Sequence, residues 1–195
     1  MEPKPTPAGR RELTKAQNRE TILAAARTVF AQLGFAAATV RDIIRATPLA
    51  SGTFYNYFKS KEEVYQALRD EVALAVRPRL REARAGAQTA EAFLAQSFGA
   101  FFQFVAESGQ STAGPERFRM DSPEVLAGFA ELREDIVAAQ ARGLLPAADA
   151  ASLSAALVGV AFELAEQVKA GADVAQATQF ATALFMGGMT ALPKA

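Results

Sequence analysis

The stretch "ASGTFYNYFKSKEEVY", residues 50–65, holds all three tyrosines of a chain whose fourteen phenylalanines run from Phe30 to Phe185. Phe54 and Phe58 lie four residues apart, on one face of a helix, which leaves the hydroxyl-bearing side chains on other faces. A tyrosine ring packs like an apolar side chain, but its hydroxyl needs a hydrogen-bond partner. The stretch therefore predicts a short helix with an apolar back and a front that meets something polar and ordered.

Two helices are predicted before this stretch. Apolar residues recur at helical spacing from Lys15 to Leu33, and Gly34 is expected to end that helix. Thr39 and Asp42 then have the spacing of a capping box, and Pro48 cannot lie inside the short helix that follows.

A further helix is predicted after this stretch. Ser60 and Glu63 have capping-box spacing at its start, and a kink is expected at Pro78. Three helices within about fifty residues, with a tight turn between the second and third, describe a helix-turn-helix module. The alternative is a three-helix subdomain with no role in nucleic-acid binding.

The rest of the chain predicts long helices and no strand. They are expected at Gln88–Glu107, Glu124–Arg142, Ala148–Lys169 and Val174–Leu192, with a short turn in the loop between the first two. The last two helices are apolar almost all round, which predicts burial on both sides. We assign the second burial to another subunit in a two-fold four-helix bundle; a central core helix of a monomer is the alternative.

Composition excludes several kinds of function. The chain has no cysteine and no histidine, which rules out disulfides, thiol nucleophiles, Cys/His metal sites and imidazole bases. No carboxylate pair or nucleophile pattern replaces them, so we expect neither an enzyme nor a metal or cofactor. The N-terminus lacks the apolar run of a secretory signal, and polar residues dilute the uncharged run at 174–193. We therefore expect a cytoplasmic protein that does not enter a membrane.

The zero net charge hides an asymmetry along the chain. Residues 1–61 carry ten Lys/Arg against four Asp/Glu, whereas the remaining residues carry eleven against seventeen. A basic end on an acidic body indicates that one end faces a polyanion. Chance segregation of surface charges is the competing interpretation.

The sequence "ETILAAARTVFAQLGFAAATVRDIIRATPLASGTFYNYFKSKEEVYQAL" resembles the DNA-binding domain of the tetracycline-repressor (TetR) family over about residues 15–70. The resemblance implies an all-α fold of about nine helices, with an N-terminal three-helix helix-turn-helix domain and a C-terminal helical ligand-binding and dimerisation domain. On this basis we divide the chain into a flexible basic arm at 1–14, a DNA-binding domain at 15–62 and a second domain at 63–195. It also implies a homodimer on a palindromic DNA operator.

The same resemblance implies which residues contact DNA. Tyr55, Tyr57, Lys61 and Thr39 are expected near phosphates, and Arg41, Gly52 and Thr53 near base edges. Ser51, at the start of the recognition helix, is expected among the DNA-binding residues as well. The basic residues Arg10, Arg11 and Lys15 either reach the minor groove or phosphates, or form a solvated tail.

One segment departs from the family pattern. Where the family commonly has Gly-Val-Ser before the recognition helix, this chain has Pro48, Leu49 and Ala50. Alanine has no side chain that can cap a helix, so we expect Ser51 to take over the cap one residue later.

The C-terminal domain is expected to hold a small apolar or aromatic effector and to form the dimer. The residues predicted for the pocket are Phe98, Phe101, Phe102, Phe118, Met120, Phe129 and Phe162. Those predicted for the interface are Leu153, Leu157, Gly159, Val160, Phe185 and Gly188.

The function implied is a ligand-responsive regulator, most simply a repressor that its ligand releases from DNA. Within the family an activator, or a repressor that needs a corepressor, is the alternative. From another class, the chain is a helical small-molecule-binding or interaction protein that has lost specific DNA binding.

Overall fold

A computed structural model describes the backbone of residues 7–108 and 122–192, and the side chains of residues 11–107 and 122–192. All regular structure in these ranges is helical, which confirms the all-α prediction. The described residues form eight helices where about nine were expected, and the turn predicted between the fifth and sixth falls mostly outside them. The helices are α1 (Pro7–Ala37), α2 (Val40–Arg45), α3 (Ser51–Tyr55), α4 (Lys61–Ala85), α5 (Ala90–Ser108), α6 (Pro123–Ala141), α7 (Ala150–Lys169) and α8 (Val174–Met189).

Helix α1 is longer than predicted at its N-terminal end. It begins at Pro7, so the second half of the predicted flexible arm is helical. Proline suits the first position of a helix, where its missing N–H costs no hydrogen bond. Gly34 interrupts the far end of α1 with φ 74° and ψ 155°, as expected of a glycine at the end of a helix.

The chain divides into two compact units, Met1–Arg69 and Asp70–Ala195, with the border inside α4. The first unit contains α1, α2, α3 and the start of α4. Its core is closed by fully buried apolar side chains from all four helices: Ile22, Leu23, Ile43, Phe54 and Val64. Phe54 and Phe58 both lie in this core, as predicted, but only Phe54 belongs to α3, since Phe58 follows the end of that helix.

The core of the second unit is built on α5. This helix packs against α7 and α8, and it buries Phe93, Phe98, Phe101, Phe102 and Phe104. Ion pairs join α4 to α6: Arg84 donates to Asp135 at 2.6 Å, and Arg77 pairs with Glu131. Helix α4 continues through Pro78, which therefore does not end it.

Candidate functional site

Helix α2 begins with the predicted capping box. The Asp42 N–H donates to Thr39 Oγ1 at 3.2 Å, and the Thr39 N–H donates to Asp42 Oδ2 at 3.0 Å. The Thr39 hydroxyl also donates to Asp42 Oδ2, at 2.6 Å, and these bonds from Thr39 hold the pKa of Asp42 below its ordinary value. Because a phosphate oxygen only accepts hydrogen bonds, the Thr39 hydroxyl must leave Asp42 before it can donate to DNA.

The turn between α2 and α3 is held by Thr47. Its hydroxyl donates to Ile44 O at 2.9 Å and accepts from the Leu49 N–H at 3.2 Å. No residue of this turn has a positive φ, so the glycine that is usual in the family is not required here. Pro48 is accommodated because neither of these bonds uses its missing N–H.

Helix α3 starts without a side-chain cap. Its N-cap residue is Ala50, which makes no capping hydrogen bond, and Ser51 is already the first helical residue. The expectation that Ser51 would take over the cap is wrong: the helix begins where an alanine cannot cap, and it is held by its apolar back instead.

The front of α3 offers polar groups to solvent. Ser51, Gly52 and Tyr55 are exposed, whereas Thr53 and Tyr57 are half-buried. The Tyr55 ring meets the Phe54 ring edge-on at 5.4 Å between centroids, and 58% of the residue is exposed. Packing therefore orients this ring while leaving most of the residue accessible.

The first unit also exposes several basic side chains. Arg41 and Arg45 on α2 and Lys59 before α4 are exposed, as are Arg11 and Lys15 on α1. The side chain of Arg10 lies outside the described residues. These cations are placed where a polyanion has access to them.

Lys61 has partners other than the predicted phosphate. Its ammonium donates to three main-chain carbonyls: Phe35 O at 2.8 Å, Ala36 O at 3.2 Å and Ala38 O at 2.9 Å. It also lies 4.6 Å from the centroid of the Phe35 ring. The three donors of the ammonium are thus used inside the first unit.

An aromatic cluster that the sequence reasoning missed lies beside Lys61. The ring centroids of Phe30, Phe35 and Tyr65 are 5.4, 5.8 and 4.8 Å apart. Tyr65, a residue of α4, therefore packs against α1, whereas Tyr55 lies on α3 and Tyr57 follows that helix. The available signal was Phe35 directly after Gly34, where a helix end commonly carries an apolar contact.

The second unit has an open groove of about 550 Å³ between α6 and α7. Phe129, Val158 and Phe162 supply apolar walls, and Arg133 and Glu163 supply charge. Its volume is within the range of small-molecule sites.

The predicted pocket residues do not form one group. Phe129 and Phe162 line the groove, but Phe98, Phe101 and Phe102 are buried in the core, with the Phe98 and Phe102 rings stacked at 5.9 Å. Phe118 and Met120 lie outside the described residues. Sequence periodicity identified these phenylalanines as interior, but it did not separate core from groove.

The predicted interface residues also do not form one group, because they differ in burial. Leu153 and Leu157 are buried in the core of their own unit, so they are not available to a second subunit. Val160 and Phe185 are partly buried against the same core, and Gly159 and Gly188 are exposed. The apolar stripe was identified correctly, but half of it faces inward because α5 packs against that side.

Large apolar side chains remain exposed on α8. Phe180 and Leu184 are 60% and 51% exposed. Among the helices described, only α7 is long and apolar enough to qualify as a membrane span. Of its apolar stretch, 28% is buried. Among the described side chains no acidic group of three is arranged to hold a metal ion.

Comparison with known sequences finds similar proteins for the first unit. Residues 22–68 match the family model "Bacterial regulatory proteins, tetR family". Over 56 residues, the chain is 46% identical to the HTH-type transcriptional repressor KstR2 of Mycolicibacterium smegmatis and 41% identical to the HTH-type transcriptional regulator UidR of Escherichia coli K12. These matches cover 28% of this chain and 27% and 29% of those proteins, respectively.

The fold is similar over a much longer span. The fatty acid degradation regulator FadR of Bacillus halodurans has a TM-score of 0.74 and 22% identity, and the match covers 96% of this chain and 98% of that one. FadR of Bacillus subtilis, solved in complex with stearoyl-CoA, has a TM-score of 0.70 and 21% identity, covering 87% and 98%. At these identities the similarity concerns the fold.

Proposed function

We propose that this chain, a member of the tetR family of bacterial regulatory proteins through residues 22–68, is a repressor released from DNA by a small apolar ligand. It acts in the cytoplasm as a homodimer on a palindromic operator. The observation that carries the proposal is the α2–α3 pair, whose apolar backs are buried in the first unit while polar and basic side chains remain exposed.

The DNA side of the proposal assigns roles by exposure and chemistry. Arg41 is exposed, and its guanidinium can pair with the acceptors of guanine in the major groove. Tyr55 and Tyr57 place hydroxyl donors near phosphates, while Gly52 and Thr53 lie where α3 approaches the base edges. The turn held by Thr47 keeps α3 ordered despite Pro48, which favours DNA binding over its loss.

The dimer side of the proposal uses the outer faces of α7 and α8. Gly159 and Gly188 are exposed, and so are the large apolar residues Phe180 and Leu184. An apolar surface of this kind is costly to leave in water, and a second copy of the chain would cover it. Two copies then present two α3 helices about one DNA turn, roughly 34 Å, apart.

The ligand side of the proposal uses the groove between α6 and α7. Its walls are mainly apolar, and Arg133 supplies a cation that suits an anionic head group. Stearoyl-CoA, which binds the similarly folded FadR of Bacillus subtilis, combines an apolar chain with anionic groups. A ligand releases the repressor only if it binds the DNA-incompetent state more tightly than the competent one.

The test is fluorescence anisotropy on a duplex that the protein has selected from random DNA. We expect stearoyl-CoA to weaken binding by about tenfold or more, equivalent to about 1.4 kcal/mol, and free CoA to have little effect. Ala130→Trp fills the groove and should abolish the response, whereas Val137→Trp, an exposed site of α6 that does not line the groove, should keep it.

This test distinguishes a failure of the effector proposal from a failure of the repressor proposal. A selected duplex whose complex resists stearoyl-CoA and fatty acids of other lengths would contradict the effector proposal. A protein that binds no duplex would contradict the repressor proposal.

A further inference from the structure

We infer that Lys61 is a positioning residue for α2 and α3 and does not serve as a phosphate ligand. The inference rests on the proposed function, since it concerns how the DNA-reading helices are held. The first support is that all hydrogen-bond donors of Lys61 are already used. An ammonium has three N–H donors, and Lys61 directs them at the carbonyls of Phe35, Ala36 and Ala38. A bond to DNA would have to replace one of these.

The position of the three carbonyls explains why a lysine occupies this site. Phe35 and Ala36 belong to the end of α1, and Ala38 immediately precedes Thr39, the residue that caps α2. Carbonyls at a helix end carry partial negative charge and lack partners within the helix. One side chain therefore joins the end of α1 and the approach to α2 to the first residue of α4.

The electrostatics of α4 point the same way. The N-terminus of a helix carries partial positive charge, so a cation at its first position is unfavourable unless it reaches elsewhere. Glu62 and Glu63 are the acidic residues that suit this end, and Glu63 Oε2 accepts from the Lys59 N–H at 2.7 Å. Lys61 extends away from its own helix onto the carbonyls of α1.

Aromatic packing supports the same junction. The Phe35 ring lies under the ammonium and also contacts the rings of Phe30 and Tyr65. Cation–π contact and ring packing add to the three hydrogen bonds. A shift of the α4 start relative to α1 would break these contacts together, so Lys61 sets where α2 and α3 lie relative to α4.

The experiment compares Lys61→Met with Lys59→Met, which removes the same charge from an exposed site two residues earlier. Thermal unfolding is measured without DNA. Binding to the selected duplex and to a mixed-sequence duplex is measured over a range of salt concentrations. For K61M we expect an unfolding midpoint lower by about 5 °C or more and a preference for the selected duplex lower by about tenfold. The slope of log affinity against log salt should stay at the wild-type value, and K59M should keep the wild-type midpoint.

A conservative variant separates positioning from charge. Lys61→Arg keeps the cation, but a longer, planar guanidinium cannot reproduce a single nitrogen that lies within 3.2 Å of all three carbonyls. We expect K61R to restore neither the midpoint nor the preference for the selected duplex. A phosphate ligand would tolerate this change, so wild-type binding and stability of K61R would overturn the inference.

The other possible results of this experiment also support or overturn the inference. A K61M protein with the wild-type midpoint and preference, but a salt slope reduced by about one, would show a phosphate contact and overturn the inference. If K61M does not fold while K59M does, the carbonyl contacts are supported, because DNA-free protein has no phosphate to lose, and K61R carries the DNA comparison. A wild-type protein that binds neither duplex would contradict the proposed function instead, and the midpoints would still test the carbonyl contacts.

Discussion

Single side chains hold the first unit where α1 meets α2 and where α2 meets α3. Thr39 caps the start of α2, Thr47 holds the turn before α3, and Lys61 holds the end of α1. Each replaces main-chain hydrogen bonds that a helix end or a turn leaves unmade. In the proposed function, DNA recognition therefore depends on residues that need not touch DNA.

Thr47→Val tests this at the turn. Valine keeps the shape of threonine but removes the hydroxyl, so the bonds to Ile44 O and from the Leu49 N–H are lost together. We expect the free energy of unfolding to fall by about 1–3 kcal/mol, as measured by denaturant titration. Thr28→Val is the matched control, because the Thr28 hydroxyl bonds only back to Ala24 O within α1. Equal effects of the two substitutions would contradict the role of Thr47.

At the scale of helices, α4 and α6 are joined by an ion pair that is buried on one side. Arg84 is 5% exposed, whereas the Asp135 side chain is 35% exposed. Asp135→Ala leaves a buried cation without its partner, which should cost about 3–5 kcal/mol. Arg84→Met leaves a carboxylate that water can reach, so its cost should be smaller. Denaturant unfolding of both variants measures the asymmetry, and a larger cost for R84M would contradict it.

The second ion pair between these helices predicts a dependence on pH. The Arg77 guanidinium bonded to Glu131 holds the pKa of that carboxyl below its ordinary value of 4.5. The folded state therefore binds a proton less readily than the unfolded state, and the stabilisation is fully present above about pH 4.5. It is lost as the pH falls through the lower, folded pKa.

Unfolding of Glu131→Gln should accordingly show a weaker loss of stability between neutral pH and the acid range than wild type. The control is Glu134→Gln, which removes a carboxylate from an exposed site on the same helix. An acid profile of E131Q identical to that of wild type would rule out Glu131 as a source of the dependence.

At the scale of the whole molecule, the dimer can be tested without harming the protomer. A Cβ built at Gly188, which does not line the groove, meets nothing within 4 Å, so a side chain fits there in the single chain. Gly188→Glu should convert a dimer into a monomer in sedimentation equilibrium while the thermal unfolding stays cooperative. Gln96→Glu adds the same charge at an exposed site of α5 and should leave the dimer intact. Loss of dimer in both variants, or in neither, would contradict the proposed interface.

Rules that relate residues close together in the chain predicted most of the fold. The features that these rules missed depend on contacts between residues far apart in the chain. Thr39 with Asp42 and Ser60 with Glu63 marked helix starts, because a cap is a contact between residues three apart. The carbonyl partners of Lys61 were not predicted, because they lie more than twenty positions earlier in the chain.

The predicted functional residues of the second unit show the same limit. The periodicity of α7 could not tell which apolar side faces the core, so Leu153 and Leu157 were predicted at an interface although they are buried. Phe98 was likewise predicted in a pocket, although it stacks on Phe102 in the core. The apolar periodicity of one helix shows which side of that helix is apolar. Whether that side belongs to the core, a pocket or an interface depends on which helices pack against it.

The central claim, a dimer that reads a palindrome through α3, is tested most directly by selection of bound sequences from a random duplex pool at two salt concentrations. We expect enrichment of two inverted half-sites with centres about ten base pairs apart, and binding that weakens as salt rises. No enriched motif, with binding absent even at low salt, would contradict the account.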